Sequence, residues 1–240
     1  TRYFHQYGVG KDTLAKIAVK NHHNGSMNPK AHFQSEITVD QVMKAPMISD
    51  PLGLFDCCPT TDGAAAAAIC RKEIAAKFNP DYVTIKGLGL SVGPGTGRMD
   101  PGYDFTHFPE TVRASRQAYE QTGIADPFKE ISMAEVHDCF TITELLIYED
   151  LGFVNKGEAK DAVDDGVFTL EGELPVNTDG GLKSFGHPIG ASGLRMLYEI
   201  YKQLQGKAGP RQVKDMELGM AHNLGGTPGS FTCSVVLLGR

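Results

Sequence analysis

The stretch Gly180-Gly181-Leu182-Lys183-Ser184-Phe185-Gly186-His187-Pro188-Ile189-Gly190-Ala191-Ser192-Gly193 joins a glycine-rich turn to a run of helical apolar spacing over 192–205. Within it His187 follows a permissive glycine and precedes a proline that restricts its backbone, as though the imidazole had to be aimed. A pre-aimed imidazole suits a general base or an oxyanion donor. Taken alone, Gly-His-Pro is more often a histidine in a surface turn. What lies elsewhere in the chain decides between the two.

Two further segments set reactive side chains at the edge of a regular element, where catalytic groups are commonly displayed. Val136-His137-Asp138-Cys139-Phe140 ends a strand expected over 131–136 and runs into a helix over 141–151. At such a junction the helix dipole favours the thiolate of Cys139, although a lone cysteine is more often a small buried hydrophobe. His222-Asn223-Leu224-Gly225-Gly226-Thr227-Pro228-Gly229 precedes a terminal strand over 231–238. The amides of Gly225 and Gly226 suit a reacting oxygen, or serve the turn alone.

The remaining pattern alternates strands with helices. Apolar spacing gives a surface helix over 12–24 that ends in Asn21-His22-His23-Asn24-Gly25, and Thr38 with Gln41 forms a capping box. The small-residue run 64–69 reads as a buried strand, 72–78 as a helix and Val83-Thr84-Ile85 as a strand. From Gly87-Leu88-Gly89 to Gly97 the glycines break the pattern into a flexible connector, with a domain boundary over 90–110. A helix over 111–122 follows. This alternation argues for an α/β layered domain with a mainly parallel or mixed sheet. His22, His23 and His32 have no carboxylate or thiol at ligand spacing and read as a solvated helix end. Asp161, Asp164 and Asp165 read as a solvated acidic turn.

Composition narrows the function classes. The 240 residues carry 23 Lys and Arg against 29 Asp and Glu, a net charge of −6, with 22% charged and 41% hydrophobic residues. That balance argues against disorder and against a duplex nucleic-acid binder. No apolar run is long enough to span a bilayer and the first ten residues lack a signal-peptide pattern, so the chain reads as soluble, cytoplasmic and without membrane insertion. Cys57, Cys58, Cys70, Cys139 and Cys233 form an odd set with no C-x-x-C pair, which suggests neither a disulfide scaffold nor a four-thiolate zinc site.

Together, the three reactive segments resemble the second half of a thiolase, in the branch of the sterol-carrier-protein-type thiolases and the acetyl-CoA acetyltransferases near them. There His-Asp-Cys-Phe, Gly-His-Pro and a final His-Asn-x-Gly-Gly or Cys-x-Gly occur in this order. Asn177-Thr178-Asp179-Gly180-Gly181 resembles the family's Asn-x-x-Gly-Gly, and Asp62-Gly63-Ala64-Ala65-Ala66 its Asp-Gly-Ala-Ala run. The resemblance implies an α/β thiolase-like layered fold, αβαβα in a complete subunit, here lacking most of the first half. It implies residues 1–50 as part of the loop domain, 51–105 as the last elements of the N-terminal half and 106–240 as the C-terminal half. It also implies that His187 activates a nucleophilic cysteine and helps hold the thioester oxygen. Cys139 would be the acid/base for the acetyl-CoA methyl proton, and His137 an oxyanion donor. Phe140 and Cys58 would face the pantetheine and CoA path. His222 stands where many thiolases carry an acid/base cysteine, and with Gly225 and Gly226 completes the implied substrate- and CoA-binding set.

One feature departs from the family. Thiolases acylate a cysteine in a Cys-x-Ser context, and Cys57-Cys58-Pro59 and Cys70 have other neighbours. The expectation is therefore a chain that supplies acid/base and oxyanion groups but not the nucleophile, as a fragment or one polypeptide of a split enzyme, inactive by itself. An uncovered sheet edge and apolar face are expected, to be closed by the missing N-terminal half, a second subunit or a homo-oligomeric copy. The implied activity makes or cleaves a 3-ketoacyl-CoA, with coenzyme A thioester as substrate and no other cofactor or metal. Two alternatives stand beside it: a thiolase-fold aldolase or retro-aldolase acting on an acyl-CoA with a small OB-fold partner, and a non-catalytic acyl-CoA- or lipid-binding fragment.

Overall fold

Residues 218–239 make a hairpin of two eight-residue strands around which the other elements pack. The computed structural model describes residues 1–99 and 101–240, the side chain of Arg98 aside. Its elements are α1 (Arg2–Tyr7), α2 (Lys11–Ser26), α3 (Val39–Lys44), β1 (Met47–Ser49), β2 (Leu52–Gly53), α4 (Lys72–Phe78), β3 (Thr84–Val92), α5 (Pro109–Thr122), α6 (Pro127–Glu130), β4 (Met133–Glu135), α7 (Thr141–Asp150), α8 (Ala159–Asp164), α9 (Gly181–Ser184), α10 (Ser192–Leu204), β5 (Leu218–Gly225) and β6 (Thr232–Gly239). The main sheet has the order β3-β6-β5-β4, with β4 parallel to β5 and the other pairs antiparallel. It is the mixed sheet that the alternation implied.

Because side chains alternate across a strand, the sheet divides the interior in two. Met220, Leu224, Val235 and Leu237 join Ala114 and Ala118 of α5 and Leu145 and Ile147 of α7 in the larger cluster. Ala221, Leu238 and Met133 meet Met196, Ile200 and Leu204 of α10 on the opposite face. Each fully buried aliphatic side chain contributes about 2 kcal/mol through this burial. Helices thus cover both faces over β4, β5 and β6.

Four expectations need correction. Residues 64–69 belong to no strand and are exposed apart from half-buried Ala65: the run is apolar but has no strand beside it to satisfy its backbone. The 87–97 connector is instead largely strand, since β3 continues to Val92. Gly87 and Gly89 turn towards α5, where a Cβ on Gly89 would run into the Ala114 backbone; glycine here marks close approach of helix and strand rather than a break. The helix over 12–24 is largely internal, with Leu14, Ala15, Ile17, Ala18, Asn21 and His22 buried, because α7, α8 and α9 all pack against it. His22 is therefore no solvated helix end: its ring lies between Phe33 and Phe55. Among the described residues no helix is long and apolar enough to cross a membrane.

Candidate active site

Asp138 organises the junction after β4. Its carboxylate accepts from the Leu182 amide at 2.6 Å and the Lys183 amide at 3.3 Å, capping α9, and from Asn21 Nδ2 at 2.9 Å. Gly181 has a φ of +61°, and a Cβ there would lie 2.5 Å from Asp138 Oδ2, so the second glycine of the tandem pair is required. Burial and the neighbouring Glu144 push the Asp138 carboxyl up to about 6, against Lys183 and the Leu182 amide. Asn21 also reaches Glu144 at 2.6 Å, and Lys20 pairs with Glu144 at 2.8 Å. Two residues of α2 thereby fix the His137–Phe140 segment, a link that local sequence patterns do not reveal.

The second support is a buried cluster of Glu135, Asp179, Arg195, Glu199 and Arg211. Arg195 pairs with Asp179 and, at 3.6 Å, with Glu135; Arg211 pairs with Glu199 at 2.9 Å. Three carboxyls against two guanidinium groups leave Glu135 raised well above its ordinary range, first by burial and then by Asp179. Arg195 also lies over the Phe185 ring at 4.8 Å, which braces the turn leading to His187.

A seam made by residues 57–61 joins the two reactive turns. Cys57 pairs in an antiparallel bridge with Phe140, and the Cys58 amide donates to the Cys139 carbonyl at 2.9 Å. Thr60 bridges His187, whose amide donates to Thr61 Oγ1 at 3.1 Å. The rings of His137 and His187 meet edge to face at 5.2 Å.

The hydrogen bonds decide the tautomer of His187. Ser192 Oγ donates to the Pro188 carbonyl, so it accepts from His187 Nδ1 at 2.8 Å and leaves Nε2 with its lone pair. Burial, then Arg195, lowers the His187 pKa, keeping the ring neutral. His137 is held lower still, at about 3, chiefly by burial and then by His222 and His187. Its Nδ1 is buried without a hydrogen-bond partner among the described residues.

Two family models match this arrangement in succession: "Thiolase, N-terminal domain" over residues 1–73 and "Thiolase C-terminal domain-like" over residues 97–239. The chain belongs to the thiolase superfamily. It is 43% identical to an acetyl-CoA acetyltransferase of Methanothermobacter thermautotrophicus over 95% of this chain and 59% of that protein. It is 37% identical to sterol carrier protein 2 of Oryctolagus cuniculus over 93% of this chain and 41% of that one. Among solved structures, the Ltp2-ChsH2(DUF35) aldolase superimposes with a TM-score of 0.82 at 27% identity, covering all of this chain and 61% of that one. The chain thus spans about three fifths or less of the length of these relatives.

In this thiolase-family chain the implied site residues occupy different environments. Cys139 and Cys58 are partly buried neighbours, while Phe140 is 40% exposed. Burial pushes the Cys139 thiol up to about 11, so the helix-dipole expectation of a favoured thiolate does not describe the resting site. His222 is fully buried: Nδ1 accepts from the His137 amide at 3.5 Å and Nε2 donates to Thr111 Oγ1 at 3.0 Å. It backs His137 rather than lining the surface. Gly225 is the exposed last residue of β5, paired with Thr232, and exposed Gly226 opens the turn to β6 with a φ of +122°.

Proposed function

We propose that this chain supplies the acid/base and oxyanion groups of a thiolase-type acyltransferase that makes or cleaves a 3-ketoacyl-CoA by Claisen chemistry. The approach of the His187 and His137 rings, next to Cys139 in the chain, is the observation that supports it. In the synthetic direction an acyl group passes from the sulfur of CoA to an enzyme cysteine: one S–C bond breaks and another forms. His187 takes the cysteine proton at Nε2 and passes it to the departing CoA thiolate; while protonated, it donates to the thioester oxygen. In the second step the Cys139 thiolate removes a proton from the acetyl-CoA methyl group. The C–H electron pair becomes an enolate that attacks the acyl carbonyl and expels the enzyme cysteine as a thiolate, which takes the proton now on Cys139 and so returns both sulfurs to the states in which the cycle began. His137, neutral through burial, offers a hydrogen bond to the enolate oxygen.

No serine stands two residues after any of the five cysteines, so the acylated cysteine is proposed to come from a second polypeptide or a further segment, with 1–240 inactive alone. Phe140 and Cys58 would border the CoA path, with Gly225 and Gly226 at its edge. The proposed chemistry uses side chains and the CoA thioester alone. Intact-mass measurement of the native protein and every co-purifying chain, before and after acetoacetyl-CoA, tests the reading: a polypeptide that gains an acetyl mass is expected. In that preparation Cys139→Ala should slow exchange of the acetyl-CoA methyl protons by at least about 100-fold while acylation stays measurable. Undiminished exchange would remove Cys139 from its role.

The likeness to the Ltp2-ChsH2(DUF35) aldolase favours a second reading, an aldolase acting on a β-hydroxyacyl-CoA beside a partner subunit. Cleavage of such a substrate with no acyl-enzyme would select it. The presence of His137, Cys139 and His187 together weighs towards acyl transfer, which has a use for all three.

A further inference from the structure

The proposed chemistry leaves Lys183 unused. The residue is 1% exposed, and its Nζ donates to the Asp56 carbonyl at 2.5 Å. Among the described residues no carboxylate is in ion-pair contact with that ammonium. A buried ammonium held by a carbonyl, with the nearest carboxylates outside direct ion-pair contact, is costly, and one kept beside reactive groups points to use. Its Nζ touches the Asp56 carbonyl, and the titratable groups within reach of its charge include Cys57 and Cys58 from the seam, Asp138 and Cys139 from the junction, and His22 from α2.

We propose that Lys183 is the positioning and charge-balancing residue of this site: it ties the turn that carries His187 to the seam that carries Cys58, and its ammonium meets the negative charge left on Cys139 when the thiol proton departs. The tie is geometric. Lys183 belongs to α9, whose amides are capped by Asp138, while its side chain grips Asp56. Asp56 in turn accepts from Thr141 Oγ1 at 2.7 Å and from the Gly53 amide at 2.7 Å. One side chain therefore fixes the spacing of three segments, 53–58, 138–141 and 181–187. The charge acts on Cys139 in a setting where burial, Cys58 and Asp138 oppose the thiolate, and where Thr143 and Lys183 favour it. A positive charge in such a low-dielectric site acts far more strongly than it would in water. The role in proton transfer rests on the acyltransferase reading; the effect on the Cys139 sulfur does not.

Lys183→Met keeps all but the last atom of the side chain's length and removes its charge together with the hydrogen bond to the Asp56 carbonyl. In the full chain, alkylation of Cys139 and of exposed Cys70 by iodoacetamide is followed by peptide mass spectrometry at about pH 8.5, where each thiol reacts in proportion to its thiolate fraction. Cys139 is expected to slow about tenfold or more relative to Cys70, and Lys183→Arg, which keeps the charge, to stay within about twofold of wild type. A Cys139-to-Cys70 ratio unchanged in folded Lys183→Met overturns the inference. Should that variant not fold, Lys183→Arg decides alone: a ratio like wild type supports the charge, and a tenfold loss assigns the effect to shape and overturns it. Alkylation needs no substrate. A protein that proves unable to exchange methyl protons would sink the acyltransferase reading without altering this outcome.

Discussion

His187 and His222 carry the same ring into opposite situations, and the difference comes from what each nitrogen touches. Ser192 takes one nitrogen of His187 and leaves the other free at a half-buried edge. Thr111 and the His137 amide take both nitrogens of His222, which holds its pKa down at about 3, the dominant cause being burial. The unfolded chain protonates this histidine below about 6.5 while the native state resists until about 3. Its contribution to stability is therefore complete above 6.5 and is lost as pH falls towards 3. His222→Gln should be less stable than wild type at neutral pH, and the deficit should shrink by about 1.4 kcal/mol per pH unit between pH 6 and 4. Urea denaturation across that range checks it; a constant deficit would mean that His222 titrates normally in the fold. The placement of the three motifs was legible in the sequence: His137, Cys139 and His187 fall at the turn and helix junctions expected of them, and the fold brings the rings of His137 and His187 together. Their supports were not legible. Asn21, Asp138 and Glu144 are 117 and more residues apart in sequence along the bonds that join them, and no local period encodes such a contact.

At the scale of elements, α5 and α10 read correctly because each has a buried face repeating at the helical period against one side of the sheet, whereas α7 is buried on nearly every side and is legible from its length and its run of good helix formers. β5 carries no period-two pattern to read, since Gly219, Met220, Ala221 and His222 are buried in succession on both faces of the sheet. β3 was misread because glycine breaks most strands, whereas Gly87 and Gly89 admit α5. Gly89→Ala should consequently force helix and strand apart and cost about 1–3 kcal/mol, as overpacking does. Gly190→Ala is the matched control: its added Cβ meets nothing within 4 Å, and a change within about 0.5 kcal/mol is expected. Equal midpoints for the two variants in urea would show that β3 and α5 are not in close contact in solution.

For the whole molecule, the arithmetic of faces leaves one layer unfinished. Helix α5 covers β3 on one side, but α10 sits over β4, β5 and β6 on the other, so Leu88, Leu90 and Val92 are 52%, 58% and 64% exposed. The backbone of that edge strand is less open than its face. Gln117 accepts from the Leu90 amide, and Gln121 both accepts from the Leu88 amide and donates to its carbonyl. Those side chains oppose the strand addition that a bare edge invites, and association through the uncovered apolar face is the route that remains. The relatives are longer than this chain by two fifths or more of their own length. The 240-residue chain by itself should self-associate at micromolar concentration, with a scattering mass above 25.9 kDa. Leu88→Gln with Leu90→Lys should return it to the monomer mass without lowering the urea midpoint, since neither side chain reaches the core. If the double variant associates as strongly as wild type, the sticky surface lies elsewhere, and the exposed segment 61–70 with Phe78 of α4 becomes the next face to alter.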